Sequence, residues 1–211
     1  MKLILAFFVV SILTACQSNM VAEMVTQPGQ VLYYDDFSDR TSGWTQTTSE
    51  YGRLEYANNA YRMQVLAPGY DLRAVSGQIF RDVQLEVDAT RLGGPINNRF
   101  GLICRFQDMS NYYFFIITSD GYYAIGKLKN GSVSLLGQNM MAYSSAILVG
   151  SRLNHLRLDC IGNSLTGYIN DQATAITSDA DFSSGDAGLI TGAFDQSGVD
   201  LSFYNFMVIK P

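Results

Sequence analysis

The chain has 211 residues, a formal net charge of −5 and only 16% charged side chains. No Lys/Arg cluster is available to neutralise phosphates, which argues against a nucleic-acid partner. Glycine is plentiful at 19, proline scarce at 4, and Tyr 13, Phe 12 and Trp 1 make the chain rich in aromatics. This balance suits many strands joined by tight turns and argues against disorder.

The first element is an apolar run, Leu3 to Leu13, behind the single positive residue Lys2. A bilayer span needs about 20 apolar residues, so this run is too short to cross and fits the core of a secretory signal. It closes on Leu13-Thr14-Ala15-Cys16, which resembles the lipobox of bacterial lipoproteins; the alternative is an ordinary secretory signal that ends near a cysteine. The resemblance implies a diacylglyceryl anchor on Cys16, cleavage between Ala15 and Cys16, and hence a membrane-bound, extracytoplasmic protein. Gln17 is not the aspartate that signals inner-membrane retention in many Gram-negative lipoproteins, which points to the outer membrane or cell surface. Residues 1–15 are thus read as signal peptide, 16–30 as a polar tether ending at the turn Pro28-Gly29, and 31–211 as one folded domain.

Strand patterns fill that domain. Val31 to Phe37 opens it. In Ala60 to Leu66, the residues Tyr61, Met63 and Val65 share a face, and in Val83 to Ala89 so do Val83, Leu85 and Val87. Period-2 alternation of this kind marks half-buried antiparallel strands. Further strands are predicted over Phe100 to Phe106, Asn111 to Thr118, Tyr122 to Leu128, Val133 to Leu136 and Leu153 to Ile161. Leu165 to Ile169, Gly188 to Gly192 and Leu201 to Ile209 complete the series. Asp120-Gly121, Asn130-Gly131, Gly162-Asn163 and Asn170-Asp171 supply the positive φ of tight hairpins. No long window has helical period, so the expected fold is all-β, a sandwich of two antiparallel sheets.

The order of several pieces resembles concanavalin A-like lectin/glucanase jelly rolls. These pieces are Asp35-Asp36-Phe37 with Gly43-Trp44, then Asn58 to Met63, and then Gly101 to Phe106 with Asn111 to Phe114. Leu153 to Leu158 with Leu165 to Asn170, and Gly185 to Leu189 with Phe203 to Phe206, continue the order. The chain looks most like the branch of 3-keto-disaccharide hydrolase-like and LamG-like domains. The resemblance implies a sandwich whose concave face binds carbohydrate in many relatives. It also implies a structural calcium ion held by oxygens near the first and last strands, for which Asp36 and Asp200 are the candidates; turn and surface aspartates are the plainer account of both.

Enzymatic constellations are sparse. Glycosidases need two carboxyl groups facing one another across a sugar. The glucanase pattern E-x-D-x-x-E finds its nearest match in Glu86-Val87-Asp88-Ala89-Thr90-Arg91, where Arg91 replaces the second acid. A solvated strand face explains Glu86 and Asp88 better. His155 is the only histidine, which excludes multi-histidine zinc sites and leaves any catalytic triad dependent on it. No Gly-rich phosphate loop opens a helix. Cys104 and Cys160 remain an even pair in an oxidising compartment, and both fall on the apolar parity of their strands, so a disulfide is favoured over two separate buried thiols.

The most function-like stretch is Asn111 to Ile117, apolar or aromatic on both parities, with Tyr122-Tyr123 repeating the effect. One parity should pack in the core and the other should form a surface on which sugar rings stack. The expected ligand-binding set is Arg105, Tyr113, Tyr123 and Lys127. A strand covered by loops is the competing explanation. The expected function is a lipid-anchored, non-catalytic carbohydrate-binding or surface-recognition module. The alternatives are a carbohydrate-active enzyme of the 3-keto-disaccharide hydrolase type and a purely structural envelope lipoprotein.

Overall fold

The computed structural model describes residues 27–211. Cys16 and the apolar run before it lie outside the described residues. Within them the chain forms β1 (Val31–Asp35), β2 (Thr47–Thr48), β3 (Gly52–Tyr56), β4 (Tyr61–Val65), β5 (Asp71–Phe80) and β6 (Val83–Gly93). Then come β7 (Asn98–Asp108), β8 (Asn111–Ile117), β9 (Tyr122–Lys129), β10 (Ser132–Leu135) and β11 (Ala142–Tyr143). β12 (Asn154–Ile161), β13 (Ser164–Ile169), β14 (Gln172–Ser178), β15 (Gly185–Ala193) and β16 (Val199–Ile209) close the series, and no helix occurs among the described residues.

These strands build two antiparallel sheets. The nine-stranded sheet runs β14-β13-β12-β6-β16-β4-β3-β2 with β1 on β16, and the seven-stranded sheet runs β10-β9-β8-β7-β15-β5 with β11 on β9. The alternation seen in β4 and β6 is what the sandwich uses: Tyr61, Met63, Val65, Leu85 and Val87 have no exposed surface, while their neighbours stay partly wet. Facing them across the interior are Leu102, Tyr113, Phe115 and Leu189 of the seven-stranded sheet, all buried in the same core. Trp44 anchors one end, its ring edge-on to Phe37 and Phe206 at 5.3 and 5.1 Å. The disulfide Cys104–Cys160 joins β7 of one sheet to β12 of the other across that core.

The turns follow the sequence chemistry. Asn130 and Gly131 have φ of 52° and 77°, the left-handed pair that a two-residue hairpin between β9 and β10 requires. Five strands lie outside the runs predicted from alternation: β2, β3, β5, β11 and β14. β2 and β11 are two residues each, β3 is short, and β14 is a sheet edge with Ile176 74% exposed, so no apolar face marks it. β5 loses its pattern midway, at Gly77 with φ 80°.

A bulge in β7 sets which side chains reach the outer face of the seven-stranded sheet. Arg105 has φ 51° and the register with β8 shifts between Cys104 and Asp108. This bulge reverses the parity beyond it. Phe106 therefore leaves the core face on which simple alternation placed it beside Cys104, and packs on the outer side of the sheet.

Candidate functional site

Cys104 pairs with Tyr113 and Tyr113 with Lys127, so these residues share the inner face that carries the disulfide. The expected ligand-binding set therefore points the wrong way. Tyr113 is fully buried, donates its hydroxyl hydrogen to Asp179 Oδ1 at 2.6 Å and accepts from the Phe182 N–H at 3.1 Å. Burial, the largest cause, pushes its pKa up to about 12. Tyr123 is half-buried and packs against the main core. Lys127 is ion-paired with Asp179 and Asp181, locking β9 to the segment before β15. Arg105, 2% exposed, donates to the carbonyls of Phe182 and Gly162 at 2.8 and 2.7 Å and to Asp82 at 3.2 Å. It is a structural cap on the bulge, and burial lowers its pKa.

The opposite parity makes the surface. Tyr112, Phe114 and Ile116 of β8, with Ala124 and Leu128 of β9, Ile103 of β7 and Ile190 of β15, form a second apolar cluster on the outer face of the seven-stranded sheet. Room for this layer comes from Gly126, where a Cβ would lie 2.6 Å from the Phe114 ring. A groove of about 390 Å³ crosses the cluster, within the range of small-molecule pockets. At the β10 edge its wall is Val133 and Leu135, with Met141; its floor is Phe114, Ile116 and Ile190.

The β5 end of the groove is charged. Asp71 and Arg73 of β5, Arg99 of β7, Tyr112 and Phe194 line it. Arg99 Nε donates to Asp71 Oδ1 at 2.5 Å, and its guanidinium carbon lies 4.5 Å above the Phe194 ring. Arg73 Nε donates to the Tyr112 hydroxyl at 2.5 Å, and Arg73 Nη2 stands 3.5 Å from Asp71 Oδ2. Gly192 sits between Asp71 and Arg99 in the ladder, and a Cβ there would fall on the Asp71 carboxylate and 2.6 Å from Arg99 Nε. The absent side chain is what lets the pair close over the sheet. Burial raises the Tyr112 pKa, so this hydroxyl stays protonated. Sequence reasoning missed this cluster, although one signal was available: Arg99 alternates with Phe100 and Leu102, which puts it on the outer face.

The nine-stranded sheet carries a second, shallower cavity of about 570 Å³ beside Asp36, Asp88, Tyr204 and Asn205. Both Asp88 oxygens are engaged, one by His155 Nδ1 at 2.9 Å and the other by Asn205 Nδ2 at 2.9 Å. Glu86 accepts from Gln84 at 2.5 Å and stands 3.7 Å from His155 Nε2. Glu86 and Asp88 are thus tied into a polar strand face. The expected calcium pair does not assemble. Asp200 is clamped by Arg62 through Nε at 2.8 Å and Nη2 at 2.5 Å, while Asp36 accepts from the Ser38 N–H at 2.9 Å. Among the described residues no group of three or more His, Cys, Asp or Glu side chains is placed to hold a metal ion.

No protein-family model matches the chain, and no curated protein matches it by sequence. Solved structures do. The chain is similar to the carbohydrate-binding module CBM66 from Bacillus subtilis, with a TM-score of 0.65 and 22% identity over 80% of this chain and 96% of that one. It is similar to a Bacillus licheniformis beta-glucanase at a TM-score of 0.60 and 10% identity, covering 85% of this chain and 98% of that one. A Bacillus subtilis protein of galectin-like fold and unknown function superposes with a TM-score of 0.63 at 11% identity, over 87% and 97% of the two chains. At such identities the likeness concerns the fold alone: the chain shares with these structures an all-β jelly roll of two antiparallel sheets.

Proposed function

We propose that the protein is a non-catalytic glycan-binding module, displayed outside the cytoplasm and held at a bacterial membrane by lipid on Cys16. The observation that carries the binding reading is the groove on the outer face of the seven-stranded sheet. It is open to solvent on one side, apolar along its floor and polar at one end, which suits a sugar ring with one C–H face down and its hydroxyls in water. Solved structures of the same fold include a carbohydrate-binding module and glucanases, which supports the ligand class. The non-catalytic reading rests on the acids: among the described residues Asp71 is the one carboxylate lining the groove, and Arg99 and Arg73 hold it. Glycoside hydrolysis ordinarily uses a pair of carboxyl groups with opposed tasks. The anchor reading rests on the Leu13 to Cys16 motif.

The test is a glycan array probed with the full chain in detergent solution. Saturable binding to one glycan class is expected, and Val133→Asp, at a 66% exposed position on the groove wall, should weaken it without lowering the melting temperature. Absence of binding across neutral and acidic glycans would refute the reading.

A further inference from the structure

The charged end of the groove narrows the ligand class, on the premise that the groove takes a glycan. Two guanidinium groups converge on one carboxylate there, and among the described residues no other acid lines the groove. The side chains of Arg73, Arg99 and Asp71 are only 15%, 16% and 21% exposed, so the surplus positive charge is poorly hydrated. A cation in that position gains most from an anionic partner that replaces the missing water.

Arg99 is arranged as a donor awaiting an acceptor. Asp71 takes Nε and Phe194 covers one face of the guanidinium, while Nη1 and Nη2 have no acceptor among the described residues. They are not sealed in either: among the described residues, the one enclosed side-chain polar atom without a partner is Arg91 Nε. The terminal nitrogens of Arg99 therefore meet solvent in the groove. In the same groove the Tyr112 hydroxyl accepts from Arg73 and keeps its own hydrogen to donate. Parallel N–H donors on a rigid fork match the two oxygens of a carboxylate.

We infer that the groove binds an acidic sugar, its carboxylate seated on Arg99 and Tyr112 with Arg73 behind them. The C–H face of the ring then lies over Ile116, Ile190 and Met141. An alkyl carboxylate would leave one side of its chain in water along the open groove, whereas a sugar presents hydroxyls there.

Calorimetry of the full chain in detergent decides the matter with matched probes: oligogalacturonate against its carboxyl-reduced counterpart, and sialyllactose against lactose. At least one acid should bind about tenfold more tightly than its neutral partner, the scale of one charge-assisted hydrogen-bond pair. The preference should shrink as salt rises. Arg99→Gln should abolish the preference while leaving weak binding of the neutral sugar, and Arg99→Lys should restore only part of it. The comparison of probes on the unaltered protein needs no variant. Equal affinity for acid and neutral sugars would overturn the inference and leave the glycan reading standing. A sulfated sugar bound in place of both acids would overturn the carboxylate assignment alone. Binding of dodecanoate with no sugar bound would overturn both.

Discussion

His155 lies between two carboxylates on the outer face of the nine-stranded sheet, with Asp88 at 2.9 Å and Glu86 at 3.7 Å. The hydrogen bond to Asp88 is the main cause that raises its pKa above the ordinary 6.5. A raised folded-state pKa gives stability that is complete below the ordinary value and fades as pH climbs through the raised one. Asp88 is lowered below 3.8 by the same bond, so its share is present above that value and is lost as pH falls through the lowered one. Stability should therefore decline as pH climbs from the ordinary histidine value of 6.5 through the raised one, by no more than about 1 kcal/mol because the pair is partly exposed. Denaturant unfolding of His155→Gln across that range checks it; a difference from the parent protein that stays constant with pH would show that the ionisation is not linked to folding. Arg105 offers a harder test. Arg105→Met would leave the carbonyls of Phe182 and Gly162 without their donor, and a loss of about 3 kcal/mol is expected in urea unfolding. A loss below about 1 kcal/mol would mean that water replaces the guanidinium. The same residue shows what sequence could not convey. Simple alternation after Cys104 sends Arg105 outward, and only the left-handed backbone at that point turns it in.

At the scale of the strand, β8 explains both the success and the failure of the sequence reading. Its double-sided apolar character correctly announces two packed faces. Which face is core is decided by a partner 56 residues from Cys104, because Cys160 fixes the inner side of β7 and hence of Tyr113. The disulfide and the binding face were read separately from sequence; joined through the β7–β8 register, they would have selected Tyr112 and Phe114. The cross-link itself has a measurable effect. Closing a loop of that length removes unfolded-state entropy worth about 4 kcal/mol. Unfolding in urea with and without a reductant should shift the midpoint accordingly, and an unchanged midpoint under full reduction would refute the cross-link. Strands such as β14 escaped notice for a simpler reason, since an exposed edge needs no apolar stripe.

Over the whole molecule, the fold class was legible because turn chemistry and period-2 patterning agree along most of the chain. The charged end of the groove was not, since Asp71 and Arg73 of β5 meet Arg99 of β7 across the intervening β15, a strand that comes much later in the chain. The chain as a whole is acidic, at −5, yet this one site gathers two arginines around one aspartate. Long-range repulsion of acidic ligands is thus offset only at contact range. Finally, the first and last strands of the domain lie side by side: β1 pairs with β16, Gly29 N–H donates to the Lys210 carbonyl at 2.8 Å, and Lys210 N–H donates to Gln30 at 2.9 Å. Entry and exit of the chain are one hydrogen bond apart at a single corner of the sandwich. A domain closed in this way can be spliced into a surface loop of a host protein, or have its ends joined and be reopened at the exposed Asn130-Gly131 turn, without parting any strand from its neighbour.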